Sequence, residues 1–311
     1  MSSSPRYTEV PDYLGFFGLR DHPFRITPDT DYFYPSRAHK AALEALKYGI
    51  LRREGFLVLT GEPGTGKTLL IRMLFRELPE EVVTAMVLTP ALGPEALFEA
   101  VLEDLEIRAS GSKEAMLKTF RDYLFELSRR GRTLLLVIDE AQNLPPESLE
   151  ELRLLSNFET EKGKLLQILL SGQPALEEKL RSPELAQLAQ RITVWERLSP
   201  FSREEVADYV RFRLARAGGA GIVFSRGAEG ELTRLSGGIP RVINKIMDRA
   251  LLVAFARGTH RLSPGLLREA AEAAALPSTA IRTGGKRIRW MAGLVLLVLL
   301  LGLAYVYLVG R

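Results

Sequence analysis

Residues 61–68 read Gly-Glu-Pro-Gly-Thr-Gly-Lys-Thr, and no other feature of this 311-residue chain limits its fold as strongly. The octapeptide satisfies G-x-x-x-x-G-K-[ST] in full. An apolar run at 56–60 enters it, and an amphipathic stretch at 68–78 leaves it. Such a turn belongs between a strand and a helix. Its glycines let backbone N–H groups converge on phosphate oxygens, and the helix N-terminus adds partial positive charge. Gly61, Glu62, Pro63, Gly64, Thr65, Gly66, Lys67, Thr68 and Leu69 are therefore the candidate phosphate cradle. Lys67 suits the β- and γ-phosphates, and the Thr68 hydroxyl suits a Mg2+ ion. ATP with Mg2+ is the expected ligand pair.

A second motif follows about seventy residues later. Residues 134–138 are apolar and end in Asp139 and Glu140. A carboxylate at a strand tip, Asp139, suits the metal. Glu140 beside it suits polarising a water for attack on the γ-phosphate. After a complete P-loop, this pair points to hydrolysis rather than binding alone.

Apolar runs at 56–60, 82–89, 133–138, 165–171 and 192–195 alternate with amphipathic helical patterns at 36–53, 68–78, 94–105, 113–130 and 146–159. Alternation of this kind predicts a parallel sheet covered on both faces. Leu149, Leu152 and Leu155 recur at helical spacing as a core stripe. From 202 to 275 the strand signal stops, and a small all-helical domain is expected, interrupted by glycine-rich turns at 217–221 and 236–240. No cysteine is present, which excludes disulfides, thiolate metal sites and cysteine nucleophiles. The charge is uneven. Residues 1–196 hold 24 Lys and Arg against 30 Asp and Glu, whereas 197–289 hold 17 against 8. The later part thus favours an anionic neighbour: an anionic membrane face, nucleic acid or an acidic protein.

The ends differ from each other. The first seven residues contain no apolar signal-peptide core. Residues 291–309 are nineteen consecutive uncharged, mostly apolar residues. At about 1.5 Å per residue they span roughly 28 Å, one hydrocarbon core. Arg282, Lys286, Arg287 and Arg289 precede this segment, and Arg311 alone follows it. The positive-inside rule predicts a single span with the N-terminal bulk in the cytoplasm. Residues 276–290 read as a basic tether.

These residues together resemble the AAA+ ATPases. The resemblance rests on the P-loop, Asp139-Glu140-Ala-Gln, a helical lid and Gly238-Ile-Pro-Arg241. More narrowly, the chain resembles the accessory ATPases of type II secretion. Phe16-Phe-Gly-Leu, Tyr34…Ser36…His39, the run 151–160, Gly172-Gln-Pro and Gly238-Ile-Pro-Arg-Val-Ile-Asn244 carry that narrower match over about 13–275. It implies a P-loop α/β core at 36–200 and a lid at 201–275. An N-terminal segment at 1–35 would pack on the nucleotide, with Tyr34 and His39 as candidates against the adenine.

The resemblance also implies roles. Gln173 would be the polar sensor between the acidic pair and the γ-phosphate. Arg191 would be an arginine finger offered to a neighbouring subunit, with Arg181 as its rival. Arg241 would be the lid's sensor. The expected protein is an ATPase of the bacterial inner membrane. It would form a ring or other homo-oligomer and assemble or gate a secretion or export machine through an inner-membrane partner. A peptidoglycan-binding domain that often follows the membrane segment in this family is not seen after residue 309, so a partner is expected to supply that step. Two alternatives stay open: a DNA-linked ATPase of the transposition-targeting type, though no recognisable DNA-binding motif is present, and a nucleotide switch that does not hydrolyse.

Overall fold

Five short apolar runs, each bounded by turn residues, pair into one parallel sheet. The computed structural model describes residues 13–88, 91–108, 112–160, 163–219 and 221–274. In chain order, α1 (Tyr13–Phe17) and α2 (Arg37–Leu51) lead to β1 (Phe56–Gly61), which turns through the P-loop into α3 (Lys67–Glu77). Then come β2 (Val82–Val87), α4 (Pro94–Asp104), α5 (Lys113–Arg129), β3 (Thr133–Ile138) and α6 (Pro146–Leu155). A hairpin of β4 (Glu159–Thr160) and β5 (Gly163–Lys164) precedes β6 (Leu166–Gly172). The core ends with α7 (Pro174–Leu180), α8 (Ala186–Ala189) and β7 (Ile192–Leu198). The sheet order is β2-β3-β6-β1-β7. Every neighbouring pair in it is parallel.

The central strands are buried on both faces, which is why they read as mostly apolar runs rather than alternating ones. Alternate residues still go to different sides. Phe56, Val58, Leu134, Leu136, Ile138, Ile168 and Leu170 pack with residues of α4, α5 and α6, including Leu149, Leu152 and Leu155. Leu57, Leu59, Leu135, Val137 and Leu169 face the other way, onto α2 and α3. This arrangement sends the C-terminal ends of β1, β3 and β6 to one edge of the sheet, where Gly61, Asp139 and Gly172 follow or close their strands.

Beyond the sheet lie α9 (Arg203–Arg216), β8 (Val223–Phe224), α10 (Ala228–Ser236), α11 (Pro240–Ala256), β9 (Arg261–Leu262) and α12 (Pro264–Ala273). The start of α9 is fixed by a capping box in which Ser202 and Glu205 each satisfy the other's backbone N–H. The all-helical expectation for this lid needs a correction. β8 and β9 form a two-stranded parallel pair, Val223 with Arg261 and Phe224 with Leu262. Two residues per strand leave no periodicity for a sequence reading to detect.

The N-terminal segment also departs from the expected domain boundary at 35. Tyr13, Phe17, Leu19, Phe24 and Tyr32 bury themselves in the lid core with Val206, Tyr209, Ile243 and Met247. The Tyr13 hydroxyl donates to Asp248 Oδ1 of α11 at 2.7 Å. Phe16 stacks on His260 with ring centroids 4.4 Å apart. The segment is thus part of the lid's packing unit. The expected tether and membrane segment lie outside the described residues. Among the described residues, no helix is long and apolar enough to cross a membrane.

Candidate nucleotide site

The P-loop turns as its sequence requires. Gly64 and Gly66 take left-handed φ values of 85° and 103°, and α3 begins directly after Gly66. Lys67 is buried, and its Nζ donates to the carbonyls of Gly61 at 2.9 Å and Glu62 at 3.4 Å. Burial pushes its ammonium pKa below the usual lysine range, opposed by the charges of Glu140, Asp139 and Glu62. A lysine so placed is a desolvated cation beside carboxylates, ready to exchange backbone carbonyls for phosphate oxygens.

Three elements converge on Asp139, which is buried at the tip of β3. The Thr68 hydroxyl from α3 donates to its Oδ2 at 2.7 Å. Ser171 from β6 donates to its Oδ1 at 2.7 Å, and the Glu140 N–H donates to the same oxygen at 3.0 Å. Glu140 itself is left-handed, with φ 53° and ψ 35°. For a residue with a Cβ that conformation costs about 1–2 kcal/mol. Its Oε2 accepts from Gln142 Nε2 at 2.7 Å and from Gln173 Nε2 at 3.1 Å. The Gln142 side-chain oxygen in turn accepts from the Gln173 N–H at 3.0 Å. The strained backbone and two amide donors fix a carboxylate beside the Thr68 hydroxyl and the Asp139 carboxylate.

A cavity of about 270 Å³ opens over this edge. Its floor includes Gly64, Gly66, Lys67, Thr68, Leu69 and Glu140. Residues 25–29 form one wall, and Tyr209, Arg213, Pro240, Arg241 and Asn244 of the lid form another. Arg241 enters from the N-terminus of α11, whose backbone N–H donates to the Gly64 carbonyl at 3.2 Å. A Cβ on Gly64 would lie 2.7 Å from Arg241 Cβ, so lid and loop touch without room for a side chain.

Lys67, Thr68, Asp139, Glu140, Gln173 and Arg241 are thus brought to one edge. Tyr34 and His39, expected against the adenine, do not line this cavity. Tyr34 packs edge-on against Phe201 and Tyr209, and His39 lies beneath the P-loop with its Nε2 2.9 Å from the Thr65 carbonyl. Neither lines the cavity; the segment 25–29 does so instead. The spacing of aromatics cannot separate a residue that faces a ligand from one that faces the core behind it.

Arg191 and Arg181 stand outside this lining. Arg191 Nη1 donates to Asn157 Oδ1 at 2.7 Å and Ser156 Oγ at 3.0 Å, bracing the C-terminal end of α6. Arg181 has a side chain 70% exposed, 3.8 Å from Glu177 and 5.6 Å over the Trp195 ring. Sequence reasoning missed Ser171, Gln142, Tyr209, Arg213 and Asn244. Of these, Gln142 carried a usable signal, since it lies two residues after Glu140. Arg213 is buried, donates to the Tyr209 hydroxyl at 2.7 Å and stacks 4.8 Å over the Tyr32 ring.

Comparison with known proteins agrees with this geometry. The AAA domain family matches residues 50–180. General secretion pathway protein A from Aeromonas hydrophila is 45% identical over 287 residues, which is 91% of this chain and 51% of that protein. The chain therefore spans about half the length of that curated relative. Among solved structures, Cdc6p from Pyrobaculum aerophilum matches with a TM-score of 0.62 at 19% identity, covering 79% of this chain and 71% of that one. The RuvB Holliday junction branch migration motor of Thermotoga maritima matches with a TM-score of 0.51 at 18% identity, covering 76% and 66%. At such low identity these two speak for the fold alone. The chain has the P-loop AAA+ fold, which implies nucleotide binding, and it resembles General secretion pathway protein A along most of its length.

Proposed function

We propose that this chain hydrolyses ATP with Mg2+ and uses the cycle to assemble or gate a secretion or export machine in the bacterial envelope. The observation that carries the catalytic half is the joining of the P-loop to the Asp139–Glu140 pair through the Thr68–Asp139 bond. The secretion half rests on the likeness to General secretion pathway protein A.

In this reading the P-loop amides and Lys67 hold the β- and γ-phosphates. Thr68 and Asp139 would hold the Mg2+ ion: both offer hard oxygen donors, and Mg2+ takes few protein ligands, keeping water and phosphate oxygens for the rest. Bound there, the ion supplies charge neutralisation to the phosphates. Glu140 accepts the proton of the attacking water as the water oxygen bonds to the γ-phosphorus and the bond from phosphorus to the β–γ bridging oxygen breaks, releasing ADP. Gln142 and Gln173 aim that carboxylate. Arg241, from the lid, adds positive charge on the far side.

The apolar segment 291–309 would anchor the chain as a single span in the inner membrane, with the ATPase in the cytoplasm. The basic residues before it support that orientation. A homo-oligomer would place an arginine of one subunit, Arg191 or Arg181, at the site of the next.

Phosphate release and nucleotide binding test the catalytic half. Lys67→Ala should lose binding. Glu140→Gln should keep binding while turnover falls about 10²- to 10⁴-fold, the usual contribution of a general base. Wild-type phosphate release from Glu140→Gln would remove the base from this site.

A further inference from the structure

His39 is 3% exposed and is the first buried polar residue of α2. Three separate segments meet at its ring. Its Nε2 lies 2.9 Å from the Thr65 carbonyl of the P-loop, and its Nδ1 lies 2.7 Å from Ser36 Oγ, where the N-terminal segment ends. Its ring centroid is 5.6 Å from that of Phe201, the residue that opens the lid, and 5.9 Å from that of Phe33. The partners assign the tautomer. A carbonyl can only accept, so Nε2 carries the proton and donates to Thr65; Nδ1 then accepts from the Ser36 hydroxyl. Burial lowers the pKa of the imidazole, which favours the same neutral form.

The position of the acceptor matters. The Thr65 carbonyl belongs to the peptide that joins Thr65 to Gly66. Gly66 has φ 103°, and a Cβ there would sit 3.1 Å from His39 Nε2. Fixing that carbonyl against the imidazole turns the peptide's N–H to the opposite side, toward the cavity that Gly66 lines. The same ring rests on Phe201, whose backbone N–H donates to the Gly238 carbonyl at 2.8 Å, two residues before α11 begins. One imidazole therefore joins the loop that takes phosphates to the hinge that carries Arg241.

We propose that His39 is a positioning residue that holds the P-loop in its phosphate-binding shape and ties that shape to the lid hinge. The proposal rests on the nucleotide-binding reading of the site and assigns His39 no contact with the nucleotide. A histidine that only fills the core would tolerate any amide of similar volume. A positioning residue needs its donor at the Nε2 position. Glutamine can place its amide nitrogen there. Asparagine is too short, and reaches only as far as Nδ1 and Ser36.

The test compares His39→Gln and His39→Asn in the full chain with wild type and Lys67→Ala. A fluorescent ATP analogue measures binding, and steady-state phosphate release gives KM and kcat. His39→Asn should raise Kd and KM about five- to tenfold, the effect of one lost hydrogen bond, with kcat at saturating ATP within about twofold. His39→Gln should stay within about twofold of wild type in all three. Equal weakening by both substitutions, or none by His39→Asn, overturns the proposal and leaves the ATPase reading standing. Wild type that binds no better than Lys67→Ala removes the reading and the proposal with it. If His39→Asn does not fold, nitrogen-15 imidazole spectra of wild type decide the matter. A single Nε2–H tautomer whose resonance moves when the ATP analogue binds supports the tie. The other tautomer, or an unmoved resonance, overturns it.

Discussion

The lid hinge offers a paired substitution whose cost can be worked out in advance. Gly237 and Gly238 are adjacent and both left-handed, with φ 60° and 75°. A Cβ on Gly237 would meet nothing within 4 Å. A Cβ on Gly238 would lie 2.2 Å from the Phe201 carbonyl oxygen and 3.1 Å from the Phe201 nitrogen. Gly237→Ala therefore bears only the backbone penalty of a left-handed residue with a Cβ, about 1–2 kcal/mol. Gly238→Ala bears the same penalty and a collision with backbone that no rotamer relieves. Separating the two strands of chain also breaks the 2.8 Å bond from Phe201 N–H to the Gly238 carbonyl, worth about 1 kcal/mol. The expected total is about 3 kcal/mol or more. At about 1.5–2 °C per kcal/mol for a chain of this size, Gly237→Ala should lower the melting temperature by about 1.5–4 °C, and Gly238→Ala clearly further. Thermal denaturation of both variants gives the comparison. Hydrogen exchange at 199–205 and 236–244 should rise in Gly238→Ala while β1, β3 and β6 keep their protection. Equal melting temperatures for the two variants would refute the argument, because the backbone term is common to both.

Two further expectations concern single side chains. His39 is held neutral by burial, its folded pKa below the unfolded value of about 6.5, so its contribution to stability is complete above that value and is lost as pH falls toward the lowered folded pKa. Urea midpoints from pH 8 to 5 should fall with pH more in wild type than in His39→Gln; parallel curves would contradict this. Arg191→Ala should cost about 1 kcal/mol through the lost bracing of Ser156 and Asn157, and an oligomer mixing it with Lys67→Ala should regain turnover if Arg191 serves the next subunit. No recovery in confirmed mixed oligomers would leave Arg191 a brace and point to Arg181.

What was legible in the sequence was whatever local chemistry demands. Only glycine tolerates the left-handed turns at 64 and 66, so the P-loop announced itself. Strands buried on both faces are mostly apolar, with only Thr60, Thr133, Gln167 and Ser171 as buried polar residues, so β1, β3 and β6 are legible within a residue of their ends. β7 ran to Leu198 rather than stopping at 195, because Glu196 and Arg197 continue the pairing with β1 despite their charge. Tertiary placement was less legible. Ser171 is an ordinary small polar residue until β6 is set beside β3 and its hydroxyl meets Asp139. Tyr34 and His39 were grouped with the base-binding side because aromatic composition signals a packed surface but not which side of the wall it faces. Tyr209, Arg213 and Asn244 sit on lid helices whose buried positions look alike in sequence whether they meet the core or the cavity.

The allotment of the N-terminal segment to the lid core changes how nucleotide binding can act. The phosphate groups would be held by the P-loop, which belongs to the sheet. The cavity wall at 25–29 is carried by a segment whose aromatic residues are buried with α9 and α11. A nucleotide spanning the cavity therefore touches two separately packed bodies. Among the described residues the direct ties between them include Arg241 N–H to the Gly64 carbonyl, the His39 ring between Thr65 and Phe201, Arg72 Nη1 to the Pro28 carbonyl, Arg76 to Asp31, and Arg37 N–H to Glu205. A ligand that touches both bodies shifts their relative position by no more than its difference in affinity for the two arrangements. In the proposed function ATP would offer such a difference and ADP a smaller one, since the γ-phosphate would be the group facing Glu140 and Arg241. If the proposed hydrolysis shifts the lid, the N-terminal segment, fastened to that lid by Tyr13 and Phe16, would move with it.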